Sequence, residues 1–266
     1  MPAFDYSILG VRNILVADDV VMNQELARMI MESWGLQIDI AANGSEALNK
    51  VLDNNYDLIL MDIQMPEMHG VQATLAIRQL ADKIKSHTPI VALTANVLPH
   101  DKERYIASGM NDILAKPFTE EGLFYTVAIN LGINVEQTEK LQQKKKENDA
   151  VSAPGQYDLT MVRSVSGGDE TFVKKMIDIF LATIPQSIAD LQQHVAAEDW
   201  EALGKSAHKL KSTIDSMGIN ALKQDIRALE GFGRKRENIP LIPGLVQKVV
   251  TDMNACLAAI RRDFNC

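Results

Sequence analysis

Cysteine is nearly missing from this chain: Cys256 and Cys266, both near the C-terminus, are the two among 266 residues. That count leaves no disulfide framework to read. No apolar run approaches the ~20 residues that span a bilayer. The first thirty residues carry Asp18 and Asp19 and no secretory apolar core. A cytoplasmic chain without a membrane segment is expected. There is no glycine-rich nucleotide loop of the P-loop or dinucleotide type, no histidine pair at zinc-ligand spacing, and no internal repeat. His69, His87, His100 and His194 have no partner spacing and are expected at the surface. A basic excess is also lacking. Residues 1–132 hold 17 acidic and 9 basic side chains, and residues 133–266 hold 18 of each, so the net charge of −8 belongs to the first half. Nucleic-acid binding is not expected there.

The length allows two domains with separate cores. In the first half, short apolar runs alternate with helical periodicity. Strands are predicted at 12–17, 36–41, 56–61, 90–94 and 113–115. Helices are predicted from about 20 to Gly35 (Met22, Leu26, Met29, Ile30 and Ser33 on one side), 45–54 (Ala47, Leu48, Val51 and Leu52 inward), 71–82, 99–108 and 119–131. This alternation implies a doubly wound parallel sheet covered on both faces. Polar residues mark four strand ends: Asp18-Asp19, Asp62, Thr94 and Lys116. The carboxyl edge of such a sheet is where open α/β folds place their chemistry.

Four strand ends carrying Asp-Asp, Asp, Thr and Lys in that order resemble the receiver domain of two-component response regulators, over residues 11–132. The resemblance implies a flavodoxin-like fold, Asp62 as phosphoacceptor, and magnesium held by Asp18, Asp19, Asp62 and the backbone carbonyl of Gln64. Carboxylate oxygens suit that ion, and three of them together repel unless a cation sits among them. Thr94 and Lys116 are expected to hold phosphoryl oxygens. Receivers usually carry Tyr or Phe three residues before the lysine. Ile113 stands there instead, which puts the usual threonine–aromatic coupling in doubt while leaving the phosphorylation chemistry in place.

Residues 133–156 lose apolar period, carry Lys144–Lys146 and end at Pro154-Gly155, and read as a linker with a helical first half. From 157 to 266 only helical periodicity remains. A helix capped by Asp169 with Pro185 inside it, a second capped by Asp199 and ended by Gly218, and two more at about 221–235 and 242–262 predict an all-α four-helix bundle. On the second of these, Trp200, Leu203, Ala207, Leu210, Ile214 and Met217 form one stripe. His208 points roughly 130° from its centre, which predicts a solvent-facing imidazole. Gly204 and Ser212, one turn to either side, are small, and Lys205 and Lys211 are cationic. The string from Ala207 to Gly218 resembles the histidine phosphotransfer (HPt) domain, whose pattern is close to His-x-Leu-Lys-Gly with a glycine ten residues after the histidine. Ser212 replaces the usual first glycine. The resemblance covers about 157–263. His208 is expected to titrate near the free imidazole range, lowered by Lys205 and Lys211. Bulky side chains at 204 or 212 are expected to slow transfer more than they destabilise the bundle.

Together the two resemblances imply a phosphorelay protein that accepts a phosphoryl group on Asp62 and carries one on His208. No stretch resembles the ATP-binding part of a histidine kinase, so the expected donor is a histidine kinase or a phosphorylated HPt domain, and the expected acceptor a downstream response-regulator receiver. Phosphoryl on Asp62 is expected to reach His208. Two alternatives stay open: the C-terminal piece of a hybrid sensor histidine kinase, and an interaction module controlled by phosphorylation without internal transfer.

Overall fold

The structure, a computed structural model, describes residues 4–95, 99–134, 157–166 and 168–265, without the side chains of 99 and 100. The expected linker from 135 onward, Lys144–Lys146, Pro154-Gly155, Gly167, Cys266 and the side chain of His100 lie outside the described residues. The chain divides into two compact units, residues 1–149 and 150–266.

In the first unit five strands, β1 (Asn13–Ala17), β2 (Gln37–Ala41), β3 (Leu58–Asp62), β4 (Ile90–Thr94) and β5 (Asp112–Ala115), form one parallel sheet in the order β2-β1-β3-β4-β5. This is the flavodoxin-like arrangement, in which the strand order reverses between β1 and β3 and opens a crevice at the carboxyl edge. β3 and β4 are buried along their whole length, as strands covered on both faces must be. Alternate residues point to opposite faces. Leu15, Ala17, Ile59, Met61, Ile90 and Ala92 pack with Ala47 and Val51 of α2 (Gly44–Asp53) and Ala73 and Ile77 of α3 (Gly70–Arg78). The remaining helices are α1 (Val21–Ser33), α4 (Lys83–His87), α5 (Pro99–Ala107) and α6 (Glu120–Asn130).

Three local expectations change. The helix expected over 71–82 is two: α3 ends at Arg78, and Asp82 caps α4 by accepting from Ile84 N and Lys85 N. The Arg78 guanidinium fixes this break, donating to the carbonyls of Ser86, Thr88 and Gly109 and to Asn111 Oδ1. On α1, Ser33 is exposed, while Met31 and, two turns earlier, the polar Asn23 are buried. Leu52, expected inward, is 49% exposed, because α2 meets the sheet through Ala47 and Val51.

Residues before β1 also pack on this unit. Asp5 caps a 3-10 turn, Tyr6–Leu9. Phe4 stacks on Phe124 at 4.7 Å and Tyr6 on Trp34 at 5.1 Å, while Tyr6 Oη donates to Glu120 Oε1 at 2.6 Å. Phe4→Ala is expected to cost about 3 kcal/mol, the usual penalty for truncating a buried phenylalanine. Urea unfolding of the receiver transition checks this; an unmoved midpoint would show that the turn rests on the domain without stabilising it.

The second unit holds α7 (Thr160–Val165), α8 (Glu170–Ala196), α9 (Trp200–Ser216), α10 (Lys223–Lys235) and α11 (Ile242–Phe264), the last four being the bundle. Asp169 and Asp199 cap α8 and α9 as expected, and α8 continues through Pro185 as one helix. Phe172, Met176, Phe180, Leu203, Leu210, Ile214, Leu229, Met253 and Ile260 meet in its core. On α8, Ile179 and Val195 are only half-buried, whereas Val173, Ile177 and Ile184 are buried. Gly218, at φ +61, ends the turn after α9; a Cβ there would meet the Asp158 carbonyl oxygen at 2.3 Å.

Candidate functional site

In the first unit the strand order determines which side chains meet. β1, β3, β4 and β5 are neighbours, so Asp18, Asp62, Thr94 and Lys116 gather at one edge of the sheet. Lys116 Nζ lies 2.7 Å from Asp62 Oδ2 and 2.9 Å from Asp18 Oδ2, with all three side chains buried. Asp18, Asp19 and Asp62 bring carboxylate oxygens within 4.8 Å of one another. Thr94 is buried at the end of β4, and the Lys116 amide donates to its carbonyl at 2.7 Å.

Two supports were not legible beforehand. Asn23 Nδ2 donates to both Asp18 oxygens, at 3.0 and 3.2 Å, and the Val20 amide donates to Asp18 Oδ1 at 2.9 Å. An asparagine on the buried face of α1, one turn from an acidic pair, was the available signal. Gly70 begins α3 so close to β3 that a Cβ would lie 2.1 Å from the Asp62 carbonyl oxygen. The Gln64 amide donates to Asp62 Oδ1 at 3.3 Å, so Gln64 touches the Asp62 carboxylate through its N–H.

Three ionised carboxylates and one ammonium leave an excess of two negative charges in a pocket where Asp18, Asp62 and Lys116 are buried and Asp19 half-buried. Burial, with Asp18 and Asp19 adding repulsion, pushes the Asp62 carboxyl up to about 7 against the pull of Lys116. Burial alone would lower the Lys116 ammonium, but Asp18 and Asp62 outweigh it and hold the group above its ordinary range. A hard divalent cation matches both the all-oxygen donor set and the missing charge.

In the second unit, α10 packs across the face of α9 that carries His208. The histidine side chain is only 13% exposed, which corrects the solvent-facing expectation. A single apolar stripe marks one neighbour of a helix, whereas a bundle helix has two. The second contact is made by glycine. A Cβ on Gly204 would meet Arg234 N at 3.1 Å, and one on Gly233 would meet Trp200 O at 2.5 Å and Gly204 N at 2.7 Å. Gly204 and Ser212 are therefore buried in packing and do not simply flank an open ring. Lys205 pairs with Glu201 at 2.8 Å and is not among the charges that move His208. Lys211 does lie at the site, 2.7 Å from Glu230 Oε2.

Glu230, missed in the sequence, organises this site. Its Oε1 lies 2.7 Å from His208 Nδ1 and 3.2 Å from Arg234 Nη2. The i,i+4 spacing to Arg234 was visible, but its direction toward α9 needed the fold. A carboxylate only accepts, so Nδ1 carries the hydrogen and Nε2 of the neutral ring holds the lone pair. Burial lowers the His208 pKa, Glu230 opposes that fall, and Lys211 and Arg234 add to it. Glu230 itself, despite burial, is held down to about 2 by His208 and Lys211. Neutral, nucleophilic imidazole is thus favoured at pH 7. Glu230→Ala is expected to lower the His208 pKa further and to reduce the Nδ1–H tautomer. An NMR pH titration of the imidazole nitrogens checks both, and a rise in pKa would contradict the assigned balance.

The other described histidines sit apart from both sites. His69 is the exposed N-cap of α3, His87 is exposed and bonds Lys83 O through Nδ1, and His194 is half-buried in the last turn of α8. No helix among the described residues is long and apolar enough to cross a membrane.

A lysine-closed acidic pocket on a β2-β1-β3-β4-β5 sheet, in one chain with an imidazole-bearing bundle, defines the phosphoryl carriers of two-component signalling. Family comparison agrees in both halves. Residues 14–128 match the response regulator receiver domain and residues 175–263 the Hpt domain, so the chain carries a receiver domain followed by an Hpt domain. It is 31% identical to the aerobic respiration control sensor protein ArcB of Escherichia coli (strain K12) over 218 residues, 80% of this chain and 27% of that protein. It is 26% identical to the signal transduction histidine-protein kinase BarA of the same organism over 242 residues, 90% of this chain and 26% of that protein. The chain thus spans about a quarter of these curated relatives. Among solved structures, the receiver domain of the sensor histidine kinase PA1611 from Pseudomonas aeruginosa PAO1, with magnesium coordinated in its active-site cleft, is 36% identical. That match covers 46% of this chain and 99% of the other, with a TM-score of 0.43.

Proposed function

We propose that the chain is a cytoplasmic phosphorelay protein in which Asp62 accepts a phosphoryl group and His208 exchanges one with a receiver aspartate. The functional bounds are 11–132 for the receiver and 157–266 for the phosphotransfer domain, joined by 133–156. The observation that carries the reading is the pairing of two complementary sites: an acidic pocket closed by Lys116, and an imidazole whose Nδ1 is committed to Glu230.

At the receiver, Asp62 attacks the phosphorus of an incoming phosphohistidine in line, and the P–N bond breaks as the P–O bond forms. Lys116 leaves its Asp18 contact to hold a phosphoryl oxygen, and the Thr94 hydroxyl holds another. Asp18, Asp19, Asp62 and the Gln64 carbonyl are the residues that would hold Mg2+. When bound, that ion supplies the positive charge that lets an anionic carboxylate meet an anionic phosphoryl group. The donor is a histidine kinase or a phosphorylated HPt domain, and the acceptor from His208 is a response-regulator receiver.

A second reading, that these residues are the C-terminal part of a hybrid sensor histidine kinase, draws on the quarter-length matches to ArcB and BarA. It leaves both site assignments unchanged. The test is labelling of the purified chain with acetyl phosphate and magnesium. Wild type is expected to acquire an acyl phosphate and an acid-labile, alkali-stable phosphohistidine, and His208→Gln only the first. Labelling that persists in excess chelator would overturn the pocket's assigned chemistry.

A further inference from the structure

We infer that Tyr6 is a positioning residue for the phosphoacceptor pocket: its hydrogen bond to Glu120 fixes the first turn of α6 and, through it, the loop that carries Lys116. The inference rests on the reading of Asp62 as the phosphoacceptor.

Lys116 sits on a short span with few ways to move. Residues 116–119 join the end of β5 at Ala115 to the start of α6 at Glu120. The near end is pinned by the Lys116 amide, which donates to Thr94 O at 2.7 Å. The far end is pinned by Thr119, which caps α6 by accepting from Gly122 N at 3.1 Å, and Phe118 between them is buried. A shift in the first turn of α6 is therefore passed to Lys116. What holds that turn from outside is the Tyr6 hydroxyl, 114 residues away in sequence, which donates to Glu120 Oε1 at 2.6 Å. Burial and the Glu120 carboxylate raise the phenol's pKa against the pull of the Trp34 indole, so Tyr6 remains a donor at neutral pH. Its ring is held in turn, stacked on Trp34 at 5.1 Å and edge-on to Phe124 at 5.5 Å. Trp34 caps the C-terminal end of α1, and the first turn of α1 places Asn23 against Asp18. The turn before β1 thus ties the helix that follows the acidic pair to the helix that follows the lysine.

Lys116 needs close placement. Its Nζ rests between Asp62 Oδ2 at 2.7 Å and Asp18 Oδ2 at 2.9 Å. To take a phosphoryl oxygen it must give up the Asp18 contact without withdrawing from Asp62. An ammonium is a point charge on a flexible stem, so its reach is set by where the backbone starts it. A misplacement of about 1 Å at a reacting centre can cost about a hundredfold in rate. In the labelling step an Asp62 oxygen forms its bond to phosphorus as the P–O bond to acetate breaks, and acetate leaves with the bonding electrons. Lys116 balances the charge on the phosphoryl oxygens while this happens. The carboxylates that would hold magnesium lie at the ends of β1 and β3, whereas the Tyr6 bond acts on the loop after β5. Losing that bond should therefore change the rate more than the metal affinity.

A tyrosine that only supported the fold would change stability alone. The experiment compares wild type, Tyr6→Phe, Glu120→Gln, Glu120→Ala and the Tyr6→Phe/Glu120→Ala double variant. It measures the unfolding midpoint, the magnesium dissociation constant, the labelling rate at saturating acetyl phosphate, and the nitrogen resonance of the Lys116 ammonium without magnesium. Tyr6→Phe keeps the stacked ring and loses only the donor. It is expected to shift the Lys116 resonance and to lower the saturating rate about fivefold, the worth of roughly one hydrogen bond, with the magnesium constant unchanged. Glu120→Gln keeps an accepting oxygen and is expected to stay near wild type. Glu120→Ala and the double variant are expected to match Tyr6→Phe, because the bond can be lost only once. A wild-type rate in Tyr6→Phe, whatever its midpoint or resonance, would make the turn a structural support and overturn the inference alone. So would a magnesium constant that weakens in step with the rate. Wild type that takes no label on Asp62 would overturn the reading of the pocket and the inference together.

Discussion

Asp62→Asn is expected to lose all labelling by acetyl phosphate and yet to be more stable than wild type at neutral pH when divalent cations are chelated. The loss follows from the proposed function: Asp18 is tied to Asn23, Val20 and Lys116, and Asp62 is the carboxylate to which that proposal gives the attack. The stability follows from burial. The folded-state pKa of Asp62 is pushed up to about 7, against an unfolded value of about 4. A group whose folded pKa is raised binds its proton more tightly when folded. Its contribution is therefore fully present below about pH 4 and is lost as pH rises through 7. Without a divalent cation, wild type should lose on the order of a few kcal/mol across that window, and Asp62→Asn should not. Magnesium should restore wild type and do little for the variant. Denaturant midpoints from pH 4 to 8, with chelator or with magnesium, check this. A wild-type midpoint independent of pH would show that Asp62 stays ionised without a cation.

Gly233→Leu is expected to destabilise the bundle by about 3 kcal/mol or more, at the upper end of overpacking costs. The atoms a Cβ would strike, Trp200 O at 2.5 Å and Gly204 N at 2.7 Å, are backbone, so α9 and α10 must separate. Gly231 is the internal control, since a Cβ there meets nothing within 4 Å. Gly231→Ala should be neutral or stabilising by up to about 1 kcal/mol through helix propensity. The same geometry revises the expectation for Gly204: a bulky side chain there disrupts the α9–α10 contact directly, so stability and transfer fall together. Urea unfolding of the two variants decides it, and equal midpoints would mean that the helices do not depend on this close approach.

These two cases also show what was legible in the sequence. The receiver pocket was readable because a parallel sheet has a fixed period and a fixed functional edge. Residues at the ends of Asn13–Ala17, Leu58–Asp62, Ile90–Thr94 and Asp112–Ala115 meet once the strand order is known. The supports were less readable. Asn23 and Gly70 matter through the distance to one carboxylate group and one carbonyl, which periodicity does not encode. In the bundle, the apolar stripe identified the core face of α9 but treated its other face as solvent. The α9–α10 contact is made by Gly204, Gly233 and a charged group, Glu230 with Lys211 and Arg234, none of which scores as hydrophobic. His208 was located correctly on its helix, while its exposure and the partner of its Nδ1 followed only from which helix packs beside it. Phe4 and Tyr6 were passed over for a similar reason: their partners, Trp34 and Phe124, are distant in sequence.

The most direct measurement places the two sites on different molecules. His208→Gln protein, phosphorylated on Asp62 and freed of donor, is mixed with Asp62→Asn protein, whose histidine is intact. Aspartyl phosphate is alkali-labile and phosphohistidine acid-labile, so the chemistry of the label reports its address. Label is predicted to leave the first protein and appear on the second as acid-labile, alkali-stable phosphate, more slowly at high salt because an acidic receiver meets a site lined by Lys211 and Arg234. If the label is released only as inorganic phosphate and none reaches the second protein at any salt concentration, Asp62 and His208 are not partners in phosphoryl exchange.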